Sequence, residues 1–291
     1  MKPAPFQYVV PESLEEVMDI LGQHGAEAKV LAGGQSLMPL LNMRLARPAV
    51  LVDINRLPGL DQIAVEDTAV EIPCLVRQRA AERSPIVAEE LPLLREALRH
   101  VAHPQIRNRG TICGSIAHAD PAAELALVLV ALEGEVVAVG RGGERRIPAN
   151  AFFRGIFTTA LEADEVIRSV RIPRRRFSGQ AFREFSPRAG DFALVAVAVA
   201  LDVDPQGRVQ TARVAVAAGS DVPARLTEVE ARLQGAQAGA EAVKAAAAQA
   251  REAVQAGSDA HASEAYRRHL TEVLTEEALL AAMATTGGNV A

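Results

Sequence analysis

At 291 residues, with 49% apolar and 23% charged side chains, the chain is long enough for two globular domains or three small ones and too apolar for wholesale disorder. Its formal charge of −5 gives no reason to expect a nucleic-acid partner, and no apolar run reaches the roughly 20 residues of a membrane span. Cys74 and Cys113 are too few for an iron–sulfur cluster, which needs about four thiolates, and the start Met-Lys-Pro-Ala-Pro-Phe lacks an export signal, so the cytoplasm is the expected compartment.

Residues 1–57 read as a small α/β unit. Over residues 11–22, Ser13 stands before Leu14, Val17, Met18 and Leu21 at helical spacing, with Glu16 three residues after it, which predicts a capped amphipathic helix. Residues 29–31 predict a strand, 37–45 have helical character and 50–54 predict a second strand. Between them lies Ala32-Gly33-Gly34-Gln35-Ser36-Leu37, entered from Val30 and Leu31. Two adjacent glycines can take φ > 0 and let backbone N–H groups converge on an anion, and Ser36 adds a donor. A strand, loop, helix and strand in this order is how α/β folds build a phosphate site at strand ends.

Residues 58–177 form a second unit: a strand over 69–72, helical patterns over 75–81 and 93–101, then strands over 136–139, 145–147 and 166–172. Between them, residues 108–124 pack Thr111, Gly114 and Ser115 into a predicted turn ahead of the apolar run 125–132, so two glycine segments would clamp a pyrophosphate from both sides. Pro173 and the three arginines after it mark a domain boundary. Residues 178–291 follow, with strands over 180–186, 193–203 and 209–216 and helices around Leu226 to Leu233, over 240–256 and around Leu270 to Leu280. Three strands followed by three helices predict a sheet with helices on one face; residues 286–291 read as a frayed tail.

Either glycine segment alone is what an ordinary turn looks like. No glycine is followed by lysine, which excludes a Walker loop, and no G-x-G-x-x-G opens a helix, which disfavours a Rossmann site. His100 and His103 lack the Cys or second His–carboxylate cluster of a metal site, and none is assigned. His118 and Asp120 would be two-thirds of a hydrolytic triad, but Ser115 sits on no G-x-S-x-G elbow.

Taken together, Ala-Gly-Gly-Gln-Ser-Leu-Met-Pro-Leu-Leu at 32–41, Asp53-Ile54-Asn55, Val76-Arg77-Gln78, Thr-Ile-Cys-Gly-Ser-Ile-Ala-His-Ala-Asp-Pro-Ala-Ala-Glu at 111–124 and Arg-Ala-Gly-Asp-Phe-Ala-Leu-Val at 188–195 resemble the FAD-binding medium subunit of the carbon monoxide dehydrogenase and xanthine dehydrogenase family of molybdenum hydroxylases. The resemblance covers nearly the whole chain. It implies an α+β protein: a two-part FAD-binding domain over 1–57 and 58–177, of the PCMH or vanillyl-alcohol-oxidase-like kind, and a C-terminal flavoprotein domain over 178–291, an antiparallel sheet with helices on one face. It implies a non-covalent FAD held by Val30, Leu31, Ala32, Gly33, Gly34, Gln35, Ser36, Leu37, Thr111, Gly114 and Ser115, with His118 and Asp120 around the cofactor and Val101, Ile167 and Arg183 flanking the flavin ring or its approach. Glu124 falls where the family places a carboxylate that contacts FAD, although the dipole alone favours an acid in the first turn of a helix. Asp191 matches the motif and reads as a structural link between the last domain and the flavin domain rather than a ligand.

Two departures from the family pattern stand out. Pro73-Cys74 occupies a common Gly-Ala, and Cys113 replaces the first glycine of a Gly-Gly pair, so either φ is negative there or Gly114 alone does the permissive work; the second is expected. The resemblance further implies a small subunit with [2Fe–2S] clusters and a large molybdopterin subunit, arranged as a dimer of heterotrimers, docking beside the two glycine segments. This chain would pass electrons from the clusters to NAD⁺, a quinone or oxygen, and no catalytic acid or base is nominated in it. A self-contained flavin oxidase of related fold, or a binding module that has lost FAD, are the rival readings.

Overall fold

The computed structural model of the chain describes residues 2–217 and 220–286, organised by three main sheets. In the first unit, β1 (Gln7–Val9), α1 (Leu14–His24), β2 (Ala28–Leu31), α2 (Leu37–Asn42) and β3 (Val50–Asp53) build a parallel sheet ordered β1-β3-β2. The Ser13 hydroxyl accepts the Glu16 N–H at 3.2 Å, and the Glu16 carboxylate accepts the Glu12 N–H at 2.8 Å, so two donors freed at the helix start are satisfied reciprocally. The helix continues past Gly22, where the Arg141 side chain occupies the place of a Cβ, and stops at Gly25 with φ 53°.

The second unit contains β4 (Ala64–Val65), β5 (Ala69–Pro73), α3 (Gln78–Arg83), α4 (Pro85–Glu90), α5 (Pro92–Leu98), α6 (Pro104–Arg107), α7 (Ile112–His118), α8 (Glu124–Ala131), β6 (Glu135–Gly140), β7 (Gly143–Pro148), α9 (Ala149–Phe152), β8 (Phe153–Gly155), β9 (Thr158–Thr159) and β10 (Val166–Pro173). Its antiparallel sheet runs β4-β5-β10-β6-β7. Pro85, Pro92 and Pro104 each open a helix, where the missing N–H costs nothing. The helix expected over 75–81 begins only at Gln78, because Arg77 bridges Thr111 and the Val76 carbonyl takes the Ile112 N–H at 3.3 Å. The expected turn at Thr111 to Ser115 is α7, a helix.

The third unit pairs β11 (Gly179–Phe185), β12 (Val195–Val203), β13 (Val209–Ala217) and β14 (Ala224–Arg225) in that order, followed by α10 (Thr227–Leu233), α11 (Ala240–Ala253) and α12 (Glu264–Ala284). Strand periodicity splits β12 cleanly. Val195, Val197, Val199 and Leu201 face a core closed by α10, α11 and α12, while Ala196, Ala198 and Ala200 face the core of the second unit, against α8. The expectation of helices on one face is therefore extended: α5 and α8 cover the other face, and alanines let α8 lie close. The strap between the units is tied to both. Arg174 and Arg176 pair with Glu90 and Glu89 of α4, and Arg175 reaches Asp202 and Thr211 on β12 and β13. Of the tail, residues 287–291 lie outside the described residues.

Candidate functional site

β2 delivers the first glycine segment, and the Leu31 carbonyl is closed off by the Ile54 N–H at 3.1 Å. Both glycines were expected at φ > 0, but only Gly34 is, at 73°. Gly33 serves a different need: a Cβ there would stand 2.6 Å from the Arg109 carbonyl oxygen, 2.7 Å from Gly110 Cα and 3.0 Å from the Thr111 nitrogen. Its bare Cα is where the two glycine segments touch. Around this contact, the N–H groups of Gly33, Gly34, Gln35, Ser36 and Thr111 donate to no acceptor among the described residues. All but the exposed Ser36 are buried or half-buried, and such donors without partners are costly, so the arrangement suits an anionic ligand.

Thr111 caps α7, its hydroxyl accepting the Gly114 N–H at 3.0 Å. Neither Cys113 nor Gly114 has a positive φ, so the reading that assigned Gly114 a permissive backbone is corrected: both are ordinary helical residues. What Gly114 leaves room for is Thr111 Oγ1, which a Cβ would approach to 2.6 Å. Cys113 is buried, its Sγ 3.5 Å from the Ile72 carbonyl, and burial pushes its thiol well up from the usual range. The thiol in place of the family's glycine thus carries no backbone strain.

The second segment ends in a group of titratable side chains. His118 stacks on Phe157 with centroids 4.9 Å apart, and the Phe157 N–H donates to the Ala119 carbonyl at 3.0 Å. Ala119 and Phe157 both sit at positive φ, 51° and 54°, rare for residues with a Cβ. Burial holds the His118 imidazole below its usual range against the opposing pull of Asp120. Asp120 Oδ1 accepts the Ala122 N–H at 2.9 Å, shaping the turn into α8. At the start of α8, burial pushes the Glu124 carboxyl up to about 7, with Asp120 adding to the rise.

Across the boundary between units, Glu184 on β11 is only 3% exposed at its side chain, and its Oε2 has no hydrogen-bond partner. Burial, then the charge of Glu124, push it up to about 8. His100 Nδ1 lies 3.8 Å from Glu184 Oε1, and burial followed by Arg183 lowers the imidazole. Arg183 donates to Glu96 at 3.2 Å and to the Phe182 carbonyl at 2.7 Å. The buried Val101 gives its carbonyl to Arg107 at 2.7 Å.

The structure thus joins residues 33 to 36 with Thr111, and His118, Asp120 and Glu124 with the neighbourhood of Arg183 and Val101. Val30 and Leu31 line the end of β2, Leu37 opens α2, and Ser115 lies half-buried on α7. Ile167 is buried at the bulge of β10, in the same core as Ile112, Cys113 and Ile116 of the second segment. Sequence reading left unassigned Asn55, Arg77 and Gly110, which fix the contact between segments, and Glu184. The one acid of β11 was the available signal for Glu184, Asn55 and Arg77 stood in quoted family motifs without an assigned role, and nothing local marked Gly110. Carboxyls poised near neutrality can hold or release protons at working pH. Among the described residues no three His, Cys, Asp or Glu side chains are grouped to hold a metal ion, and no helix is long and apolar enough to cross a membrane.

Comparison with known proteins agrees with this architecture. Residues 4–175 match the family described as FAD binding domain in molybdopterin dehydrogenase, and residues 180–282 the CO dehydrogenase flavoprotein C-terminal domain. The chain is 41% identical to the 6-hydroxypseudooxynicotine dehydrogenase complex subunit alpha of Paenarthrobacter nicotinovorans, over 97% of this chain and 96% of that one. It is 36% identical to the carbon monoxide dehydrogenase medium chain of Hydrogenophaga pseudoflava, over 98% and 99%. A solved structure of carbon monoxide dehydrogenase from that organism superposes with a TM-score of 0.94 at 37% identity, covering 98% of this chain and 99% of that chain. Quinoline 2-oxidoreductase from Pseudomonas putida 86 does so with 0.94 at 34%, covering 98% and 99%. With both parts matched and relatives aligned end to end, the chain belongs to the family of FAD-binding medium subunits of multi-subunit molybdenum hydroxylases and is an oxidoreductase subunit.

Proposed function

We propose that the FAD pyrophosphate lies where the two glycine segments touch, taken by the free N–H groups of Gly33, Gly34, Gln35, Ser36 and Thr111. That group of unspent donors is the observation that carries the reading, and a diphosphate is the part of FAD that needs it. Val30, Leu31, Ala32 and Leu37 border the same cradle, Gly114 and Ser115 extend it along α7, and His118, Asp120 and Glu124 continue toward Val101, Ile167 and Arg183, which we read as flanking the flavin ring or its approach. FAD, when bound, supplies two-electron redox capacity. The chain's own residues position it, shield it and hold protons at the Glu124 and Glu184 carboxyls.

In the assembled enzyme, this subunit accepts electrons from [2Fe–2S] clusters on a small partner and passes them to an external acceptor, while a large molybdopterin subunit meets the organic substrate. The arrangement proposed is a dimer of heterotrimers, with the partner interface beside the glycine segments. The units are divided at 57 and 177, in keeping with the three sheets. Two buried free thiols suit a reducing compartment, the cytoplasm.

Denaturing the purified protein should release a flavin that chromatographs as FAD. Release of FMN, or of no flavin after purification with added FAD, would refute the cofactor placement. Mixing substrate anaerobically with the lone chain should leave its flavin absorbance unchanged, whereas the complex should bleach. Substrate-driven bleaching of the lone chain would instead establish a self-contained oxidase.

A further inference from the structure

Arg77 belongs to neither glycine segment, yet it is bonded to the frame of both. Its guanidinium donates to the Asn55 carboxamide oxygen at 2.6 Å and to the Arg109 carbonyl. Asn55 in turn donates from Nδ2 to the carbonyl of Ala32 at 2.9 Å, one residue before Gly33. Arg109 is one residue before Gly110, whose Cα meets Gly33. A continuous bridge therefore runs from the first segment through Asn55 and Arg77 to the second, spanning the point where they touch. Asn55 is held for this by Asp53, which accepts from its backbone N–H at 2.9 Å and from Nδ2 at 2.6 Å and also takes the Tyr8 hydroxyl. The backbone beside Arg77 adds a second tie, since the Gln78 N–H donates to the Gly110 carbonyl at 2.8 Å.

Charge separates this bridge from a purely structural brace. Among the described residues, neither Arg77 nor Arg109 has a carboxylate within salt-bridge distance, and the exposed Arg109 side chain makes no hydrogen bond. Arg77 is half-buried; burial first, and the neighbouring Arg109 second, press its guanidinium toward losing its charge, and Asp53 opposes them only in part. Elsewhere this protein matches arginines taken out of water with acids, as at the buried Arg107 with Glu82 and Arg171 with Glu66. Two like charges left unmatched beside a row of free N–H groups form a positive field, and an anion lodged there relieves it.

We infer that Arg77 is a positioning residue for the cofactor's diphosphate: through Asn55 and the Arg109 carbonyl it sets the spacing of the two glycine segments, and with Arg109 it supplies the field that favours FAD over an uncharged flavin. This rests on the cradle proposed above. The test measures dissociation constants of the full chain, freed of flavin, for FAD and for riboflavin, which lacks phosphate, at two salt concentrations. Arg77→Met should weaken FAD about 10- to 100-fold, the range for hydrogen bonds involving a charged group, and leave riboflavin within about threefold. Arg77→Lys keeps the charge but cannot span both acceptors, so it should retain the salt dependence and recover only part of the affinity. Arg109→Gln, at an exposed side chain that leaves the bridge intact, should weaken FAD alone, by less than Arg77→Met, and keeps the test open if Arg77→Met does not fold. Equal loss of FAD and riboflavin in Arg77→Met, or unchanged FAD affinity in Arg77→Met or Arg109→Gln, would overturn the inference. If Gly34→Val still binds FAD, the cradle is what fails; if it does not while Arg77→Met binds normally, only the role of Arg77 fails.

Discussion

The first glycine segment stays a loop until Leu37, whereas the second winds into a helix straight after Thr111, although both present glycine beside hydroxyl and apolar residues. In the second, Ile112, Cys113 and Ile116 share a buried face and Thr111 caps the turn, so helix formation satisfies the backbone and the core together. In the first, Gly34 bends the chain through positive φ and the N–H groups of residues 33 to 36 remain unspent. The same residue type thus serves three needs: a left-handed bend at Gly34, close approach of two backbones at Gly33, and room for a capping hydroxyl at Gly114. Composition reports that glycine is present; only the neighbours say which need it meets.

The largest break in that comparison should come from Gly33→Val. The obstacles to a side chain there are backbone atoms of Arg109 and Gly110, which cannot swing aside, so the segments must part. The variant should lose its flavin on gel filtration and lose roughly 1–3 kcal/mol of stability in urea titrations, as overpacking typically costs. Full flavin retention would mean that contact between segments is not what builds the cradle.

An intermediate effect concerns Glu124 at the end of the second segment and Glu184 facing it from β11, a pair with no counterpart at the first segment. Glu124 and Glu184, pushed up to about 7 and about 8, keep protons in the fold that the unfolded chain gives up from the ordinary glutamate range upward. Stability should therefore fall as pH rises through that window and level off above about 8. Glu184→Gln, neutral throughout, should show a smaller drop in Tm of the flavin-free chain between pH 5 and pH 8.5 than the parent. Identical pH profiles would show that Glu184 is ionised in the fold.

Gly114→Ala should have the smallest effect. Its helical backbone accepts alanine, worth about 1 kcal/mol, while displacement of the Thr111 hydroxyl costs about the same. Circular dichroism melts should place its Tm within a few degrees of the parent. A loss as large as that of Gly33→Val would show that the second segment has no more tolerance than the first.

Most strands were legible because their apolar runs are local: β3, β6, β10 and β12 all lie where hydrophobic pattern placed them. The first helix was legible down to its Ser13 cap. The helical start at 75–77 was misread because Val76 and Arg77 are drawn extended by a bridge to residues more than thirty positions away, which outweighs their own spacing. α7 was misread because its glycine was weighed as a loop former and its cap was not weighed at all. The family motifs brought the cradle residues into view. They included Arg77 without assigning it a role and left out Glu184; the roles of both come from partners on distant elements, a main-chain carbonyl for one and an opposing acid for the other.

The alternation along β12 bears on how the molecule can move. Because Ala196, Ala198 and Ala200 press methyl groups onto α8, the second and third units meet there through short side chains, while Arg183 with Glu96 and His100 beside Glu184 tie them along β11. Parting them would wet both surfaces at about 25 cal/mol for each Å² exposed, and would also break the straps at Arg174, Arg175 and Arg176. A boundary in sequence is therefore not a free hinge in the fold. On the surface segment between β11 and β12, Phe192 stands 73% exposed, so an apolar contact can be made there without parting the two cores.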